Sequence, residues 1–157
     1  MALHIKGGWI NYTYVGESSA GVHRYRVNLK VYRDCAFPSP GQNAASINFS
    51  VYNGNGSFYR DFPANLMSAP YLLSKTTFSE CINPRPQVCY RILEYQTEVD
   101  LPESPSGYDI SFQRCCRING IVNVTQPSNI IGNTYTISVP GTIPNRQQVV
   151  NSSPEFS

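Results

Sequence analysis

The stretch Arg24–Cys35, RYRVNLKVYRDC, decides the fold class. Tyr25, Val27, Leu29 and Val31 fall on one face of it, and Arg24, Arg26, Asn28 and Lys30 on the other. Strict alternation marks a strand with one buried and one wet face, because successive side chains along a strand point to opposite sides. An amphipathic helix would repeat its apolar residues every three or four positions instead.

Outward from this segment the same period recurs. WINYTYV (Trp9–Val15) is predicted as the preceding strand, joined through the polar segment Gly16–Gly21 in a loose hairpin. INFSVY (Ile47–Tyr52) turns Ile47, Phe49 and Val51 inward. NGNG (Asn53–Gly56) is the strongest hairpin signal in the chain, because Asn-Gly accepts the positive φ of tight turns. Ser57–Phe62 is then the return strand, and Tyr71–Phe78 a short strand. Tyr90–Leu101 alternates but changes parity between Ile92 and Tyr95, which predicts a bulge. Tyr108–Arg117, Ile121–Val124 and Tyr135–Val139 bring the count to about nine short strands. The expected fold is all-β, an immunoglobulin-like antiparallel β-sandwich stapled by disulfides. One domain covers residues 1–139, and residues 140–157, with three prolines and little pattern, read as a linker or tail.

Composition narrows the function. A chain of 157 residues forms one domain of ordinary size. Its net charge of +2 is too small to argue for nucleic acid or an anionic membrane as partner. No run approaches the length of a membrane-spanning helix. Met1–Ile10 lacks a basic start followed by a long apolar run, so export would depend on a signal peptide absent from this chain.

Five cysteines point to an oxidising compartment and hence to the cell exterior or surface. Their spacing does not suit zinc, which favours close C-x2-C pairs or a Cys/His mixture. Cys81 and Cys89 bracket a proline-rich loop and are expected to pair across its base. Cys35 shares the apolar parity of its strand, and Cys116 shares the parity of Ile110 and Phe112. Cys35–Cys116 is therefore the parity-consistent bridge. Cys35–Cys115 is the alternative and needs an irregularity at one strand end.

No catalytic constellation is present. His4 and His23 are remote from the cysteines, the acids are scattered, and there is no phosphate-binding glycine loop or G-x-S-x-G element. The chain is expected not to be an enzyme and to need no cofactor or metal. Calcium is the one open option, with Asp34, Asp61, Asp100 and Asp109 matching only by type. Trp9, Tyr12 and Tyr14 on the first strand are the candidate ligand-binding residues, since aromatic rings on a sheet face stack on sugars or form protein interfaces.

Four motifs together carry a family resemblance. They are the opening H-I-x-G-G-x-I (His4–Ile10), L-K-V-Y-R-D-C (Leu29–Cys35), the proline-containing C-x7-C loop (Cys81–Cys89), and P-x-S-P-x-G-Y-x-I-x-F-Q-R-C-C-R-x-N (Pro102–Asn119). The pattern resembles the N-terminal module of large secreted proteins of Bacteroidota. Many of those proteins end in a gliding-motility-associated sorting domain of the type IX secretion system. The resemblance implies an extracellular or cell-surface β-sandwich within a larger chain, and no reaction. The expected function is therefore a non-enzymatic module for adhesion, or for positioning a larger secreted protein. Its partners would be other domains of that chain, a surface protein or a glycan. Two alternatives stand beside it. One is a structural subunit that self-assembles by strand exchange or edge pairing through Met1–Gly8 and Pro140–Ser157. The other is a carbohydrate-binding module.

Overall fold

A computed structural model describes residues 5–35, 43–75, 83, 88–115, 117, 120–121, 123–124, 127, 130–141 and 152–154. Among these the fold is all-β, with eight strands. They are β1 (Ile5–Ser19), β2 (Val22–Asp34), β3 (Ser46–Asn53), β4 (Phe58–Leu66), β5 (Tyr71–Lys75), β6 (Val88–Pro102), β7 (Tyr108–Arg114) and β8 (Asn133–Val139). All strand pairings are antiparallel, in the order β1-β2-β6-β4-β3-β7-β8, with β5 beside the first part of β6. The sheet folds over on itself until its ends approach, and is nearly barrel-shaped. A Cβ built on Gly8 of β1 would lie 3.1 Å from the Tyr135 ring of β8, and Ile5 bridges to Arg117.

β4 and β6 meet only at Asn65–Gln96 and Leu66–Tyr95. Beyond these pairs β4 continues as the partner of β3. Pro63 sits in that departing stretch, where its missing N–H removes no bond toward β6. Two halves of the sheet thus face each other, β1-β2-β6-β5 and β4-β3-β7-β8. The core fills the space between. One half contributes Tyr12, Tyr25, Val27, Leu29, Val31, Leu93, Tyr95, Val99 and Leu101; the other contributes Ile47, Phe49, Val51, Ala64, Tyr108, Ile110, Phe112 and Val139. The alternation predicted for β2 and β3 is the observed burial pattern.

The first hairpin is tighter than expected. β1 and β2 continue to Ser19 and Val22, leaving a two-residue turn in which Gly21 takes φ 70°. The surplus residues of β1 are absorbed as irregularities between Tyr14 and Gly16 and between Glu17 and Ser19. The NGNG hairpin forms as expected, with the Gly56 N–H donating to Asn53 O at 2.8 Å and Gly56 at φ 84°.

Two local expectations fail. β6 has no bulge against β2, since its register is continuous from Tyr90 to Pro102. Ile92 is buried on the face opposite Leu93, with Tyr71 of β5 as its neighbour in the sheet. The expected strand Ile121–Val124 is not one at Ile121, Asn123 or Val124, the positions described.

The disulfide pairing is also corrected. Cys35 bonds Cys89, with Cα atoms 5.5 Å apart, which excludes Cys81–Cys89, Cys35–Cys116 and Cys35–Cys115. The parity argument assumed a bridge across the core. Cys35 instead lies just past the end of β2, directly beside β6, and the β2–β6 register brings it to Cys89. Cys115 is itself disulfide-bonded, while Cys81 and Cys116 lie outside the described residues. Disulfides persist in oxidising, extracellular surroundings. Among the described residues no helix is long and apolar enough to cross a membrane.

Buried tyrosines make the fold sensitive to alkali. Burial pushes the Tyr25 phenol up from 10.0 to about 12, and it raises Tyr12, Tyr95, Tyr108 and Tyr135 in the same direction. A folded-state value above the unfolded one means the native state holds the proton more tightly. Stability is therefore fully present below pH 10 and declines as pH rises from 10 toward about 12. In an alkaline titration the buried tyrosines are expected to ionise together with loss of the far-ultraviolet β signal. Full tyrosinate absorbance with that signal intact would contradict the burial argument.

Candidate functional site

The outward face of β1, β2 and β6 carries side chains in rows set by register. Trp9 is opposite Lys30, and Lys30 is opposite Glu94. In the next row Asn11 faces Asn28, Asn28 faces Gln96, and Gln96 faces Asn65 of β4. Below these come Arg26 opposite Glu98 and Arg24 opposite Asp100.

Each row is knitted by side-chain contacts. The Lys30 ammonium lies 2.7 Å from Glu94 Oε1 and 5.3 Å from the centre of the Trp9 ring. The Tyr71 hydroxyl donates to Glu94 Oε1 at 3.1 Å. Its hydrogen bond to Glu94 raises the Lys30 ammonium above its ordinary value. In the amide row the Gln96 side chain donates to Asn28 Oδ1 at 2.6 Å, and the Asn28 side chain donates to Asn11 Oδ1 at 3.0 Å. Arg24 grips Asp100 through two N–H donors, at 2.7 and 2.8 Å, and holds that carboxyl below its ordinary range. Arg26 donates to Glu98 at 2.8 Å.

Between the first two rows lies a cleft of about 240 Å³ lined by Trp9, Asn28, Lys30, Met67, Glu94 and Gln96 together with Leu29 and Tyr95. Met67 is held at its edge by its N–H, which donates to Glu94 O at 2.9 Å. The cleft combines an indole wall with amide donors and acceptors and one carboxylate–ammonium pair. The chain matches no known protein family, no curated protein and no solved structure.

The three aromatic candidates separate by parity. Trp9 faces the cleft. Tyr12 is buried, edge-on to Tyr25 at 5.7 Å, and Tyr14 packs between Tyr25 and His23 at 5.6 and 5.9 Å. Of the three, Trp9 lines the cleft. Asn28, Glu94 and Gln96 become neighbours only through the β2–β6 register, which strand alternation alone does not supply.

The four aspartates considered for calcium lie apart, each with its own neighbour. Asp34 takes Lys6 at 2.9 Å, Asp61 takes Ser50, Asp100 takes Arg24 and Asp109 takes Ser138. Among the described residues no group of three or more His, Cys, Asp or Glu is placed to hold a metal ion. Arg33 is buried and donates to Asn43 Oδ1. Burial, reinforced by Arg114 and Arg91, lowers its guanidinium from the ordinary value.

Proposed function

We propose that this chain is a non-enzymatic, immunoglobulin-like module of an extracellular or cell-surface protein, and that it adheres by taking a sugar residue of a glycan into the Trp9 cleft. The strand order supports the fold reading. The halves β1-β2-β6-β5 and β4-β3-β7-β8 follow the A-B-E-D and C′-C-F-G arrangement of immunoglobulin-like domains. The Tyr108 hydroxyl at the start of β7 donates to Pro102 O at 3.0 Å, a bond like that of the tyrosine corner in such domains. The disulfide joins β2 to β6 within one half, where antibody domains bridge the two sheets. An extracellular setting and a place within a larger secreted chain accord with this disulfide and with the resemblance to Bacteroidota surface proteins.

The observation that carries the functional reading is the cleft. Drug-sized ligands occupy sites of about 300–1,000 Å³, so a cleft of about 240 Å³ suits a smaller group such as a sugar ring. An indole offers the apolar face of a sugar a flat, rigid surface, and the neighbouring amides and carboxylate can satisfy its hydroxyls. Trp9 is the single tryptophan, so its emission reports on this cleft alone. In a glycan-array screen of the intact protein, a binding glycan is expected to shift Trp9 emission. Trp9→Ala should weaken that binding by at least about tenfold, the cost of deleting a central aromatic anchor. A blank array, or binding that survives Trp9→Ala unchanged, would remove the cleft from the function.

A further inference from the structure

A second surface lies on the outer edge of β1, away from the cleft on its face. Among the described residues no strand neighbours that side of β1 at Tyr12 and Tyr14, since β2 occupies the other edge. The C-terminal residues 152–154 lie along it. The Tyr12 N–H donates to Ser153 Oγ at 2.8 Å. The Ser153 N–H donates to Tyr12 O at 3.0 Å, and the Ser153 hydroxyl donates to the same oxygen at 3.1 Å. The Tyr14 N–H donates to Ser152 Oγ at 3.1 Å. One backbone bond and three serine-hydroxyl bonds thus seat the segment on the free backbone groups of a sheet edge, the groups that an added peptide strand uses. The sequence favours that geometry, since a residue preceding proline is biased toward extended conformations, and Ser153 precedes Pro154.

We propose that this edge is a strand-addition site for the Ser152–Pro154 segment of a second copy of the chain, so that copies join by exchanging their C-terminal segments. Three features carry the inference. The docked segment is short and largely exposed, so its contacts open readily without disturbing the core. The bonds it makes are the same whether the segment belongs to its own chain or to a neighbour, so protein concentration decides between the two. Ten residues, 142–151, separate Gly141 from Ser152, and a chain of that length reaches at most about 35 Å, enough to cross to an adjoining molecule. Exchange between two copies closes a dimer, and exchange passed from copy to copy builds a fibre.

The test is sizing of the intact protein by light scattering over a wide concentration range. The apparent mass is expected to rise to at least twice the monomer value, and to fall back on dilution. Ser153→Pro removes the Ser153 N–H and hydroxyl together and is expected to hold the protein at monomer mass, with far-ultraviolet dichroism unchanged. In a mixed sample of carbon-13-labelled and unlabelled wild-type protein, contacts between Tyr12 of one copy and Ser153 of another should appear in isotope-filtered spectra. That measurement stands even if Ser153→Pro does not fold. A monomer at every concentration overturns the proposal, as do oligomers that form equally with Ser153→Pro or lack the intermolecular Tyr12–Ser153 contact. Trp9→Ala should leave this association unchanged, which separates it from glycan binding.

Discussion

Replacing Cys35 and Cys89 together by alanine is expected to lower the unfolding free energy by about 4 kcal/mol. The bond closes a loop with a sequence separation of 54 residues. Cross-linking so long a loop removes much conformational freedom from the unfolded chain, and the chain-entropy relation for that length gives about 4 kcal/mol at 25 °C. Domains of this kind have total stabilities of about 5–15 kcal/mol, so the loss takes the fold toward its limit without abolishing its core. Both cysteines must be replaced. A single substitution leaves a thiol that can attack the bond made by Cys115. Urea unfolding checks the prediction. The midpoint should fall, and the dependence on urea should steepen, because the unfolded chain without its cross-link exposes more surface. A loss below about 1 kcal/mol would show that the β2–β6 ladder already confines the unfolded chain, contrary to the entropy argument.

That same ladder explains what the sequence disclosed and what it withheld. Alternation in Arg24–Cys35 and Ile47–Tyr52 sufficed for the strands and their buried faces, because burial on one side of a sheet imposes period two. NGNG sufficed for the β3–β4 hairpin, because turn chemistry is local. Pairings between distant strands were not legible in this way. Cys35–Cys89, the Asn11–Asn28–Gln96 row and the lining of the cleft all depend on the register of β2 against β6. A signal for that register was present. Arg24, Arg26 and Lys30 recur on β2 at a spacing matched in reverse by Asp100, Glu98 and Glu94 on β6. Opposite charges facing each other favour one antiparallel alignment over its neighbours, and the alignment that pairs these charges also brings Cys35 beside Cys89. The parity change at Ile92 misled for a related reason. An apolar residue on the wrong face signals a bulge only if that face is wet, and Ile92 is buried there, with Tyr71 of β5 beside it in the sheet. Trp9, Tyr12 and Tyr14 were alike in the sequence as strand aromatics, and they separate only in the structure, where Tyr12 is buried and Trp9 lines the cleft.

The other large effect is expected at Phe49, where Phe49→Ala should cost about 3–5 kcal/mol. Phe49 is fully buried at the middle of β3. Its ring meets Phe112 of β7 edge-on with centroids 6.5 Å apart, and Phe112 in turn stacks on Tyr135 of β8 at 6.4 Å. Removing it deletes the apolar transfer term and leaves a void that cannot close without moving strands on both sides. β3 is paired along both edges, by β4 and by β7, so its backbone is held in place. That rigidity puts the cost toward the upper end of the range. Phe58→Ala is the control. Phe58 is 58% exposed at the start of β4, with an edge-on contact to Tyr52 at 5.9 Å. Its removal should cost no more than about 1 kcal/mol, because little surface is lost from water's reach and no cavity forms. Equal losses at the two positions would mean that the core between the halves is looser than its burial implies. A large loss confined to Phe49, with Trp9 emission unchanged in the folded variant, would show that the core sets stability while the outward face is left intact for binding.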